Sequence, residues 1–253
     1  MTSKIIAVVN QKGGVGKTTT AINVAAQLGG PKSTVLLVDL DPQGNATSGM
    51  GLSKEGSHKT TYEVVSAGLS LAQAVQETHV AGVYVLPANP NLAGAEVELV
   101  NQAEREFALK KALQAASYNY IIIDCPPSLG LLTINGLTAA SQVLIPVQAE
   151  YYALEGLSQL LSTIQAVRGS TNPSLELLGI ALTMFDKRNS LSEQVQQEVN
   201  NYFGEKLFEA VIPRNVRLAE APSYGRTIYE HDRWSKGARA YKALAKEVRD
   251  RLN

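Results

Sequence analysis

One cysteine, one tryptophan, three histidines and 6% aromatic residues leave this 253-residue chain short of several kinds of chemistry. A lone Cys125 closes no internal disulfide, which excludes a stapled secreted scaffold and fits a reducing compartment. It also excludes a zinc or iron–sulfur centre that draws several thiolates from one chain. No apolar run approaches the roughly 20 residues of a membrane-spanning helix. The opening Met1-Thr2-Ser3-Lys4 lacks the layout of a cleavable signal. Net charge is absent too, with 23 basic and 23 acidic side chains. What is abundant is apolar: 45% hydrophobic against 18% charged residues excludes disorder as the main state and supplies a sizeable core. The expectation is a soluble, cytoplasmic α/β protein, of a length that such folds reach as one domain.

Neutrality hides an asymmetry. Residues 1–179 carry 10 basic and 13 acidic side chains, residues 180–253 carry 13 and 10, and 211–242 carry 7 and 3. The bias is mild, and charge alone leaves open an ordinary solvated face or an anionic partner.

Apolar, β-rich runs recur at Ile5–Val9, Val35–Leu40, Val83–Leu86, Tyr120–Asp124, Val143–Val147, Leu177–Met184 and Leu207–Ile212. Several are nearly continuous, the pattern of strands covered on both faces. Between them, Leu154, Leu157, Leu161, Ile164 and Val167 keep helical spacing. Ala93–Ala116 reads as one long helix, Leu191–Phe203 as a shorter one, and Gly44–Thr60 as a mobile loop. In Gly237–Leu252, the residues Tyr241, Leu244, Ala245, Val248 and Leu252 form one helical stripe. Alternating strands and helices predict a single doubly wound, mainly parallel sheet flanked by helices.

The first strand runs into Lys12-Gly13-Gly14-Val15-Gly16-Lys17-Thr18-Thr19 and then a helical pattern. Strand, glycine-rich loop and helix form the context of a phosphate loop. The glycines let backbone N–H groups converge on phosphate oxygens, and the helix N-terminus adds positive potential. Lys17 supplies a point charge for the β/γ-phosphates, and Thr18 a hydroxyl for Mg²⁺. The ordinary pattern has Gly where Gln11 stands, and Lys12 occupies the next position. Two further strands end in carboxylates, at Asp39-Leu40-Asp41 and at Asp124. Ligands of open α/β sheets bind at these carboxyl ends. Asp124 suits the Mg²⁺ shell and Asp41 the positioning of an attacking water; the alternative for each is to cap a helix.

Lys12–Thr18, Asp39-Leu-Asp41-Pro-Gln-Gly-Asn45 and Ile123-Asp124-Cys-Pro-Pro127 resemble the motifs of the deviant-Walker-A ATPases. Pro146-Val-Gln-Ala-Glu150 and Ile212-Pro-Arg-Asn-Val-Arg-Leu-Ala-Glu-Ala-Pro-Ser223 narrow the resemblance to the ParA/Soj partition ATPases. It spans nearly the whole chain, and the lone Cys125 excludes the related nitrogenase iron protein. The resemblance implies a P-loop NTPase fold of the short type, one ATPase domain over 1–253 without an N-terminal helix-turn-helix domain. It implies ATP and Mg²⁺ as cofactors, with Thr18, Asp41 and Asp124 at the metal and Lys12, Lys17 and Asp41 in hydrolysis that is slow and partner-stimulated. Val15, Gly16 and Thr19 join Lys12, Gly13, Gly14, Lys17 and Thr18 around the phosphates, and Met184, Pro213 and Asn215 lie near adenine. Pro213 as a mere strand terminator is the alternative.

It further implies a homodimer on ATP, with Lys12 reaching the partner's phosphates and Glu150 meeting Lys12 at the interface. A plain surface carboxylate is the alternative for Glu150. Arg188 and Arg217 match positions that bind double-stranded DNA without sequence preference, with Lys187, Arg226, Lys236 and Arg239 as weaker candidates. The implied role is chromosome or plasmid partitioning with a ParB-type partner, on the nucleoid and without a membrane. A membrane-cycling, MinD-like ATPase and a ParA-like ATPase for another cargo stay open as alternatives.

Overall fold

The computed structural model describes residues 3–55, 59–150 and 153–253, and of 153–155 only the backbone. Among the described residues seven strands are present: β1 (Lys4–Val8), β2 (Val35–Asp39), β3 (Gln76–Glu77), β4 (Val83–Leu86), β5 (Tyr120–Asp124), β6 (Gln142–Gln148) and β7 (Glu176–Thr183). The helices of the first half are α1 (Lys17–Leu28), α2 (Asn45–Gly49), α3 (Thr61–Ser66), α4 (Leu71–Ala74), α5 (Leu92–Leu99) and α6 (Ala108–Leu113). Those of the second are α7 (Leu131–Ala139), α8 (Ala153–Gly169), α9 (Ser190–Phe203), α10 (Val216–Glu220), α11 (Ile228–Asp232) and α12 (Lys236–Leu252).

The strands form one sheet in the order β3-β4-β2-β5-β1-β6-β7. Every pairing is parallel except the edge pair β3–β4. Alternation along each strand divides the core in two. Ala7, Val38, Ile121, Ile123 and Ile145 face one side with α3, α5, α7, α8 and α9. Ile6, Val8, Leu37, Ile122 and Leu144 face the other with α1 and α12. Burial on both faces explains why these strands read as continuous apolar runs. Register sets the functional end of the sheet: Asp124 pairs with Val8 on one side and with Asp39 on the other. Among the described residues no helix is long and apolar enough to cross a membrane.

Two expectations change. Ala93–Ala116 is not one helix: α5 stops at Leu99, Glu104 turns left-handed at φ 55°, and a 3₁₀ turn at Arg105–Phe107 leads into α6. The cause is tertiary. Asn135 of α7 accepts from Leu109 N–H at 3.1 Å and donates to the Arg105 carbonyl at 2.9 Å, anchoring the second piece separately. Leu207–Ile212 is not a strand. Phe208 and Ile212 donate to the β7 carbonyls of Ile180 and Leu182, but between them Glu209 and Ala210 donate to the Glu247 carboxylate at 2.9 and 2.8 Å. The Gly44–Thr60 stretch opens with α2 and ends in Thr60, which caps α3; its residues 56–58 lie outside the described ones. Leu157, Ile164 and Val167 of α8 are buried as their spacing predicts, while the Leu154 side chain lies outside the described residues.

Candidate nucleotide site

The loop between β1 and α1 is pinned from outside. Asn10 Nδ2 donates to the Pro146 carbonyl of β6 at 2.7 Å, and its Oδ1 accepts from Lys12 N–H at 3.0 Å. Thr183, ending β7, donates its hydroxyl to the Val15 carbonyl at 2.8 Å. Gly14 and Gly16 adopt φ 74° and 87°, the left-handed region that strains residues with a Cβ. Gly16 is also the residue before α1, whose start has no side-chain cap and no acidic residue in its first turn. That helix end thus presents N–H groups and positive potential to an anion.

Lys17 is buried and donates Nζ to the Lys12 carbonyl at 3.0 Å, which sets the ammonium across the loop. Burial lowers its pKa, against the opposing pull of Asp124 and Asp41. Asp124 is fully buried, and neither carboxylate oxygen has a hydrogen-bond partner among the described residues. Burial first, then the Asp39 charge, raises its pKa well above the usual carboxylate range, although the nearby Thr18 hydroxyl favours the charged form. A dry, unpartnered carboxylate beside a hydroxyl and an ammonium suits a divalent cation, whose oxygen ligands would satisfy it. Asp41 is buried, with Oδ1 accepting from Gln43 N–H at 2.9 Å.

Asp39 has a different task. Its Oδ2 accepts from Thr47 N–H at 2.8 Å and from the Thr47 hydroxyl at 2.7 Å, and its Oδ1 from Asp41 N–H at 3.2 Å. Gly44 precedes α2 and has no side chain to cap it, so Asp39 caps that helix from the end of β2. Burial pushes its carboxyl up to about 6. Cys125 is buried, and burial raises its thiol pKa, which disfavours the nucleophilic thiolate.

The sequence matches the family model described as an AAA domain over residues 3–177. The chain is 54% identical to the chromosome partitioning protein ParA of Myxococcus xanthus, covering 98% of this chain and 88% of that one. It is also 54% identical to the sporulation initiation inhibitor protein Soj of Bacillus subtilis, covering 97% and 98%. The chain belongs to the ParA/Soj chromosome-partitioning ATPase family. A solved structure named cobyrinic acid a,c-diamide synthase from Mycobacterium smegmatis, with bound ATP analogue and magnesium, is 40% identical at a TM-score of 0.85, covering 97% and 93%.

On this ParA/Soj frame the adenine candidates come together. Phe185 N–H donates to the Ile212 carbonyl and Arg214 N–H to that of Phe185, both at 3.0 Å, which joins the end of β7 to Pro213. Met184 sits at φ 51°, an uncommon conformation for a side chain with a Cβ. Asn215 caps α10: its Oδ1 accepts from Arg217 N–H at 2.8 Å, which leaves its NH₂ to donate elsewhere. Lys12 and Glu150, expected to meet between protomers, already pair within the chain at 3.4 Å. Glu150 also approaches Arg214 at 3.7 Å, so it bridges the loop to the adenine side.

The basic third is partly neutralised. Arg188 grips Asp186 with Nε and Nη2 at 3.1 and 3.0 Å, and Arg217 pairs with Glu220 at 2.9 Å and Asp232 at 3.9 Å. Lys187, Arg188, Arg214 and Lys236 line one cavity of about 1090 Å³. A second cavity of about 1010 Å³, lined by Val64–Ala72, Tyr84 and Tyr118, lies toward the amino ends of β2, β4 and β5, away from the phosphate loop. Sequence reasoning missed Asn10 and Thr183, which hold the phosphate loop. The sequence signal for both is a polar residue at the carboxyl end of an apolar strand.

Proposed function

We propose that the chain is an ATPase that binds ATP with Mg²⁺, dimerises on ATP, binds double-stranded DNA without sequence preference and partitions a chromosome or plasmid with a ParB-type partner. The observation that carries this reading is the buried constellation of Lys17, Asp124 and Asp41 at the mouth of a glycine loop. Gly13 to Thr19 cradle the phosphates, and Lys17 exchanges the Lys12 carbonyl for phosphate oxygens. Thr18, Asp124 and Asp41 would hold Mg²⁺, which supplies positive charge as the γ-phosphoryl group leaves. Asp41 orients the attacking water. Lys12 exchanges Glu150 for the partner's phosphates, where exclusion of water strengthens its charge. Met184, Pro213 and Asn215 receive adenine. Arg188 and Arg217 contact DNA phosphates, which gives salt-sensitive, sequence-blind affinity. The nucleoid is then its site of action, and a ParB-type partner would accelerate slow hydrolysis. The apolar stripe of α12 is packed against α1 rather than free for a membrane, which supports DNA over a lipid surface.

The test separates the steps. Lys17→Ala loses ATP binding, measured with a fluorescent analogue; unchanged affinity would show that the loop is not the site. Lys12→Ala binds ATP but stays monomeric in sizing with ATP and Mg²⁺. Asp41→Ala still dimerises but loses most phosphate release, because only the water is misplaced.

A further inference from the structure

The corner between α11 and α12 carries the chain's sole tryptophan, Trp234, 75% exposed. Its neighbour Arg233 lays its guanidinium 4.7 Å from the centre of the indole. One face of the ring is thus held by a cation while most of the side chain stays in water, which is a costly place for an indole with no partner. The corner is firm. Trp234 N–H donates to Asp232 Oδ1 at 3.2 Å, and Ser235 caps α12 by accepting from Ala238 N–H at 3.1 Å. Asp232 also faces Arg217 at 3.9 Å, so the backbone of the tryptophan is linked through Asp232 to one of the DNA candidates.

The charge around it is unlike that of Arg188 and Arg217. Arg226, Arg233, Lys236 and Arg239 are exposed and make no ion pair among the described residues. Lys236 also lines the cavity that holds Arg188, so the unpaired cations continue the same surface. Tyr224, 66% exposed and stacked on His231 at 5.2 Å, adds a second ring nearby. Cations without a carboxylate partner, interleaved with exposed, pre-oriented aromatic rings, match a strand that offers both phosphates and unstacked bases. A duplex offers phosphates, but its bases are already stacked.

We propose that the α11–α12 corner is a single-stranded DNA contact, in which a base stacks on the open face of Trp234 while Arg233 and Lys236 hold the flanking phosphates. The inference rests on the DNA-binding reading and extends it to a further ligand class. Duplex DNA meets the same cations without engaging the indole.

Because Trp234 is the only tryptophan, its emission reports this corner alone. The full chain, with ATP and Mg²⁺, is titrated with a short thymine homopolymer and with a mixed-sequence duplex. Labelled-strand anisotropy gives binding, and tryptophan emission gives stacking. The expected result is quenching in step with anisotropy for the single strand and little change for the duplex. Trp234→Ala then weakens single-strand binding about fivefold or more and duplex binding less than about twofold, while Trp234→Phe keeps most single-strand affinity. An anisotropy rise without quenching overturns this inference and leaves the duplex reading standing. Loss on both ligands alike in Trp234→Ala overturns it as well. No anisotropy change with either ligand overturns the DNA reading and this inference together. An emission change with phosphatidylglycerol vesicles but not with the strand assigns the corner to lipid and overturns it.

Discussion

Asp39 and Asp124 end neighbouring strands in direct register, and both are fully buried. Near them stand the Asp41 carboxylate and the Lys17 ammonium, three acids to one base. Asp39 answers its burial with three hydrogen bonds, whereas the Asp124 carboxylate oxygens have no hydrogen-bond partner among the described residues beyond the nearby Thr18 hydroxyl that favours their charge. Both carboxyl pKa values are raised, Asp39 to about 6. An unfolded carboxylate titrates near pH 4, so folding takes up protons and stability falls as pH rises from there through about 6. Asp124→Asn removes one like charge from this pair. Without nucleotide, its urea-unfolding free energy is expected to exceed the parent's by about 1–3 kcal/mol at pH 8, with the gain fading toward pH 4. A variant less stable than the parent at pH 8 contradicts this account. The same substitution is expected to abolish Mg²⁺-dependent phosphate release, which separates the needs of the site from those of the fold.

Helix α12 holds the phosphate loop in place indirectly, by covering α1. Tyr241, Leu244, Ala245, Val248 and Leu252 are buried, and the Tyr241 hydroxyl meets that of Thr20 at 3.1 Å. Its Glu247 also satisfies two backbone N–H groups of the 207–212 segment. Leu244→Ala is expected to cost about 2–5 kcal/mol through lost burial and a residual cavity. Tyr241→Phe, which removes only one hydrogen bond, is expected to cost about 0.5–1.5 kcal/mol. Urea denaturation distinguishes the two. A similar small loss for both would mean that α12 is docked by charge rather than by its apolar stripe.

Across the whole molecule, the proposed nucleotide site lies at the carboxyl end of the sheet, and Arg226, Arg233, Lys236 and Arg239, without an ion pair among the described residues, lie in the last third of the chain. Arg188 and Arg217 join these regions, but each is held by carboxylates. Asp186 is pulled down to about 2 by its hydrogen bonds from Arg188, so it stays charged at any physiological pH. Asp186→Asn is therefore expected to free Arg188, raising affinity for unrelated duplexes equally and steepening the salt dependence by about one counterion per protomer. Arg188→Glu and Arg217→Glu are expected to do the opposite, with ATP-induced dimerisation retained. Mobility assays at two salt concentrations check both directions. Undiminished binding by both Glu variants removes these arginines from the DNA surface.

The local motifs determined much by themselves. A glycine loop between an apolar strand and a helix, and carboxylates closing β2 and β5, follow from backbone geometry that a short segment encodes. So does the parallel sheet, because strands buried on both faces must be apolar throughout. The tertiary structure decided what depended on distant partners. Asn135 breaks the Ala93–Ala116 run, and Glu247 keeps Leu207–Ile212 from lengthening the sheet. Asp39 and Asp124 look alike in sequence, since both end an apolar run. Only folding gives one of them Thr47 to cap and leaves the other bare, because a hydrogen bond to a residue on another element has no sequence spacing to announce it.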